Sequence, residues 1–77
     1  MTKFITTSKE AIQATGTTAA ECLAAAHRDL GADCPWLDTL KTTPCTDALY
    51  HMVDEWGGAI SWRYLPDGTA CTVDEAA

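Results

Sequence analysis

Residues 46–64 read TDALYHMVDEWGGAISWRY, and the spacing of apolar side chains changes once within that stretch. Leu49, Met52, Val53 and Trp56 recur at i, i+3, i+4 and i+7, the pattern of one helix face, with Thr46 placed to cap the start and Gly57-Gly58 to end it. Ile60, Trp62 and Tyr64 then alternate with Ser61 and Arg63, the period of two that belongs to a strand. Pro66-Asp67-Gly68 supplies turn chemistry, and Thr69 to Val73 returns as the second arm of a hairpin. A chain that passes from one period to the other so quickly mixes helix and strand, so the expected class is α+β. The tail after Asp74 is expected to fray.

Upstream, Thr18-Ala19-Ala20-Glu21 is a capping box, in which the threonine hydroxyl and the glutamate side chain satisfy N–H groups that a helix start leaves unpaired. The helix should run from Ala19 to Leu30, with Cys22, Leu23, Ala26 and Leu30 on one face and Gly31 as its stop. Lys3 to Thr7 is β-branched and aromatic, which predicts a short strand. Ser8 is read as the cap of a short helix through Thr15, ended at Gly16. Pro35 suits the first turn of another brief helix through Leu40, with Trp36, Leu37 and Leu40 turned inward, and Thr42-Thr43-Pro44 breaks it. The expected organisation is one domain over residues 1–77. It has a helical part at about 8–41 and a helix-plus-hairpin part at about 46–73, with a hinge around Thr42 to Cys45. The small antiparallel sheet consists of the C-terminal hairpin, which the N-terminal strand can join.

A chain of 77 residues has room for one core only, and alanine supplies much of its 47% apolar content. The large core candidates are Phe4, Ile5, Ile12, Leu23, Leu30, Trp36, Leu37, Leu40, Leu49, Met52, Val53, Trp56, Ile60, Trp62, Tyr64, Leu65 and Val73. Such a core is thin, so burial against a second copy of the chain is a useful source of stability and a homodimer is one expected state.

Charge is segregated. Up to Thr46 five acids face four cations; from Asp47 onward Asp47, Asp54, Glu55, Asp67, Asp74 and Glu75 face Arg63 alone. With a net charge of −6, DNA and RNA are not expected as direct partners, because like charges repel and no counterions would be released. A protein or ribonucleoprotein complex with a basic surface fits better. No apolar run is long enough for a bilayer or a signal peptide, so no membrane partner, a cytoplasmic location and free thiols are expected for Cys22, Cys34, Cys45 and Cys71.

Chemistry-bearing constellations are sparse. Asp47, His51 and Glu55 recur every four residues, opposite the Leu49 face, which admits a metal site or, more simply, a solvated acidic stripe extended by Asp54. Eleven, ten and twenty-five residues separate the cysteines in turn, unlike the paired spacing of structural zinc sites, and buried small hydrophobes describe them better. No phosphate-cradling glycine loop or nucleophile elbow is present. Accordingly no catalytic residue, no metal and no cofactor is expected. Trp56 and Trp62 fall on apolar faces and count toward the core; Trp36, beside a proline, stays open to contact. Tyr50 lies off the helix's apolar stripe and with Arg63 could flank an acidic surface.

From Lys9 to Lys41 the chain resembles the N-terminal helical module of elongation factor Ts, of the UBA-like three-helix group. The features are Lys9-Glu10, Thr15-Gly16, Glu21-Cys22, Gly31, and Leu37 with Leu40 where the third helix packs. Ala32 stands where the family has Asp, and Pro35 is unusual in its third helix. The resemblance covers fewer than half the residues and implies docking on a translation or chaperone factor through Gly16, Thr17, Trp36, Leu37 and Leu40. In type, the whole chain is similar to small acidic proteins of phages and mobile elements, anti-CRISPR and other anti-defence inhibitors among them. That likeness implies a non-enzymatic, protein-binding inhibitor that blocks a nucleic-acid-binding complex by presenting carboxylates to its basic channel. The contact would be Asp47, Asp54, Glu55, Asp67, Asp74 and Glu75. A small metal-binding protein or enzyme is the remaining alternative.

Overall fold

A computed structural model describes residues 2–8, 11–35 and 37–76. The strands are β1 (Lys3–Ser8), β2 (Ala11–Gly16), β3 (Lys41–Cys45), β4 (Trp62–Tyr64) and β5 (Ala70–Thr72). The helices are α1 (Ala19–Leu30), α2 (Asp47–Trp56) and a single turn, α3 (Val73–Ala76), with a 3-10 turn at Leu37–Thr39. The strands form one sheet in the order β2-β1-β3-β5-β4. Neighbours run antiparallel except β3 and β5, which are parallel and meet in register at one pair, Cys45 with Ala70.

The architecture follows from β1. Ile5, Thr6, Thr7 and Ser8 are all buried, which requires cover on both faces, because successive strand residues point opposite ways. Ile5 joins Ile12, Cys45, Leu49 and Ala70 in a core under α2. Thr6 donates to Cys22 Sγ of α1 at 3.1 Å, and Phe4 packs with Leu40 against the Ala14, Cys22 and Ala26 cluster. The two long helices therefore lie on opposite faces of the sheet. A bulge in β2 makes this work: Thr6 pairs with Ala14 but Thr7 pairs with Ile12, leaving Gln13 as the extra residue. In a regular strand Ile12 and Ala14 would share a face; the inserted residue sends Ala14 to the α1 core and Ile12 to the α2 core.

Capping accounts for the helix ends. Thr18 accepts from Glu21 N at 3.1 Å, and Thr46 accepts from Leu49 N at 3.2 Å. Gly31 and Gly57, with φ of 80° and 83°, close α1 and α2 through N–H bonds to His27 and Val53. Past α2 the chain runs hard against β2, so that a Cβ on Gly58 would collide with the Ile12 carbonyl oxygen.

Several expectations are corrected. The short helix over Ser8 to Thr15 is instead the hairpin partner of β1. Thr7 pairs with Ile12 and Ser8 with Ala11, and the Ser8 hydroxyl bonds Thr39 Oγ1 at 2.8 Å, not a helix N–H. The brief helix through Leu40 is reduced to the 3-10 turn, since β3 begins at Lys41, and Trp36 lies outside the described residues. Thr42–Cys45 is no hinge but β3, paired along its length with β1. Pro44 is tolerated there because the β5 flank demands a ladder at only one position. The sheet is thus mixed and five-stranded, not a small antiparallel one. Within residues 9–41 the described elements are β2, α1, the 3-10 turn and the first residue of β3. Leu23, Trp56, Tyr64 and Val73 are exposed, not core.

The tail does not fray at Asp74. Thr72-Val73-Asp74-Glu75 is a second capping box: Glu75 N donates to Thr72 Oγ1 at 3.2 Å, and Thr72 N donates to Glu75 Oε1 at 2.9 Å. The same carboxylate oxygen accepts from Thr46 Oγ1 at 2.6 Å, so one side chain joins the end of β5, the start of α3 and the cap of α2.

Gly58→Ala is expected to cost about 1–3 kcal/mol, because the added methyl forces backbone apart at a closed contact. The check is a urea midpoint that falls with unchanged slope. The Thr46 and Thr72 bonds hold the Glu75 carboxyl below its ordinary value of 4.5. A group depressed in the fold stabilises above the ordinary value, and that stabilisation is lost as pH falls through the folded pKa. As pH falls below the ordinary value of 4.5, the denaturation midpoint should therefore drop more steeply in the native chain than in Glu75→Gln. Parallel profiles would show that these bonds contribute nothing.

Candidate interaction surface on the second helix

The α2 helix buries Leu49, half-buries Tyr50, Met52 and Val53, and exposes Asp47, Ala48, His51, Asp54 and Glu55. Its outward side is therefore acidic, as the four-residue spacing predicts. Among the described residues Asp47, Asp54 and Glu55 have no hydrogen-bond or ion-pair partner. Tyr50 departs from its expected role: it packs against the core, with the Lys3 ammonium 4.9 Å from its ring centre and His51 edge-on at 5.7 Å.

Trp56 is the feature that pattern reading missed. It lies seven residues after Leu49 and so continues the inward stripe, but at the last turn nothing covers it and it is 73% exposed. A helix-period pattern cannot show where the sheet beneath the helix stops. The result is an exposed indole directly following two exposed carboxylates, Asp54 and Glu55.

The six acids named from sequence do not form one patch. Asp47 and Glu75 stand at the start of α2, close enough that both act on the Cys45 thiol, and Asp74 adjoins Glu75. Asp54 and Glu55 are at the far end, about 12 Å along the helix axis from Asp47 at about 1.5 Å per residue. There Asp54 lines a groove with Asp29 of α1, beside Ile12 to Thr15 of the β2 edge. Asp67 belongs to the β4–β5 turn, where its carboxylate accepts from Thr69 N at 2.9 Å and is held below the usual range by that bond. Glu75 is likewise committed to structure.

The alternative contact set is dispersed. Gly16 ends β2 against α1, where an added Cβ would lie 2.8 Å from Cys22 N, and Leu40 is packed under α1. The Thr17 hydroxyl donates to Glu21 Oε2 at 2.9 Å, and Leu37 is half-buried in the 3-10 turn. Trp36 again falls outside the described residues.

Among the described residues no group of three or more His, Cys, Asp or Glu converges as a metal site. The four cysteines are free thiols; Cys22, Cys45 and Cys71 are buried and Cys34 half-buried. Burial pushes all three buried thiols up, Cys45 to about 11, with Cys22, Asp47 and Glu75 adding to the shift at Cys45 and Lys3 opposing it. At Cys22 the Thr6 hydrogen bond pulls the other way. Thiols held protonated inside a core are poor nucleophiles. No helix among the described residues is long and apolar enough to cross a membrane. Neither a family model, nor a curated protein, nor a solved structure matches the chain.

With Ellman's reagent at mildly alkaline pH, the native protein should release one fast equivalent, from Cys34, and the other three only on unfolding. Cys34→Ser should abolish the fast phase. A second fast thiol would mean that the core opens readily.

Proposed function

We propose that this protein is a non-enzymatic binder of other proteins, and that the exposed side and last turn of α2 dock on a basic surface. The observation that carries this reading is Trp56, 73% exposed immediately after Asp54 and Glu55. A large aromatic beside exposed carboxylates has the composition of an interface anchor with a charged rim. On a surface built to hold phosphates, the carboxylates pair with the lysines and arginines while the indole fills an apolar recess. This is the mode by which a small anti-defence inhibitor, of the anti-CRISPR type, would occlude a nucleic-acid-binding complex. The net charge of −6 favours such a partner by steering the encounter and disfavours nucleic acid itself.

Immobilised protein offered to host nucleic-acid-binding complexes should retain one of them in a salt-dependent manner. Trp56→Ala should weaken the retained complex by about 2 kcal/mol or more while changing folding stability by less than about 0.5 kcal/mol. Reversal of both Asp54 and Glu55 to Lys should lower the association rate and flatten the salt dependence. Retention unchanged by salt and by all three substitutions rules this surface out.

A further inference from the structure

We infer that a groove beside β4 binds a small planar anion of mononucleotide type. The groove is lined by Thr7, Thr39, Lys41, Ser61, Trp62, Arg63 and Tyr64, with Ile60, and its volume of about 730 Å³ falls in the range of small-molecule sites. Its lining is unlike the rest of the surface. The chain has only five Lys and Arg against eleven acids, yet two cations and no carboxylate line this one concavity. Neither Lys41 nor Arg63 has an ion-pair partner among the described residues.

Lys41 is set against the aromatic pair, and Arg63 lies between Trp62 and Tyr64 on β4. The Lys41 ammonium is 5.7 Å from the Tyr64 ring centre, and Tyr64 meets Trp62 edge-on with centroids 4.9 Å apart and planes at 72°. The sheet fixes this arrangement: Trp62 and Tyr64 pair with Thr72 and Ala70, and Lys41 pairs with Thr7 of the doubly covered strand β1. Positive charge defines an anionic ligand, the indole and phenol define a planar ring, and the Ser61 hydroxyl offers a polar group to a linker such as a ribose, while the Thr7 and Thr39 hydroxyls are bonded to the Lys41 carbonyl and to Ser8. A polymer of phosphates is disfavoured by the overall charge of −6, whereas one phosphate on one ring escapes most of that repulsion. The groove shares no lining residue with the exposed side of α2, so this inference stands or falls apart from the binding surface proposed there.

The test is an amide NMR titration of the whole protein with adenosine monophosphate, with adenosine and inorganic phosphate as separate arms. Saturable shifts should centre on Thr39, Lys41 and Ile60 to Tyr64, with the monophosphate binding at least about tenfold tighter than either fragment. Lys41→Ala and Arg63→Ala, both at exposed positions, should each weaken binding at least about fivefold in a protein whose spectrum stays dispersed, and Trp56→Ala should leave it unchanged. Any of three results overturns the inference: no saturable shift at millimolar nucleotide, equal binding of phosphate alone, or shifts that survive both cation substitutions.

Discussion

Everything in this fold depends on β1 being covered from both sides. Adjacent residues of one strand, Ile5 and Thr6, are each completely buried, one beneath α2 and the other beneath α1. The two sides are filled differently. Under α1 the contacts are small, Ala14, Cys22 and Ala26, so the helix lies close and leaves no space for a side chain at Gly16. Under α2 they are larger, Leu49, Ile12 and Ile60 with Trp62 at the margin. Threonine is as important as the hydrocarbon: Thr6 bonds both Cys22 and Thr42, so a hydroxyl buried in a central strand is satisfied by its neighbours. This is how an alanine-rich chain of modest size assembles an interior.

The elements whose ends carry their own chemistry could be read before folding was considered. Thr18 and Thr46 cap the helices that begin after them, Gly31 and Gly57 end those helices, and the alternation of Ile60, Trp62 and Tyr64 leads into β4. The elements misread are those that exist only through pairing. Ala11 to Gly16 has one isoleucine, a bulge and a serine-threonine flank that suits a helix cap, and only the β1 ladder makes it a strand. Lys41 to Cys45 contains Pro44, which argues against a sheet position unless one knows how little of its far side is paired.

The same division holds for function. Charge and helical period were sufficient to place Asp47, Asp54 and Glu55 on one exposed side. They could not place Trp56, whose burial depends on how far the layer below extends, nor remove Asp67 and Glu75 from the free acids, since that depends on bonds to Thr69, Thr46 and Thr72. The Thr72-Val73-Asp74-Glu75 box did carry a legible signal, of the same form as the one at Thr18. The cation-aromatic groove left no local mark, because Lys41 and Arg63 are distant in sequence and only the strand order brings them to one concavity.

The C-terminal unit of β4, β5 and α3 meets the rest of the sheet through one strand pair, a bond from Thr46 N to the Ala70 carbonyl at 2.9 Å, and the Glu75 knot. Those links span many intervening residues, whereas β1 with β2 and β4 with β5 close over short loops. The β1–β3 ladder is just as distant in sequence but five pairs long, so the single Cys45–Ala70 pair is the thinnest join in the sheet. Loss of that one join would part the C-terminal unit from Cys45 while the β1–β2 ladder and its contacts with α1 keep their own pairing.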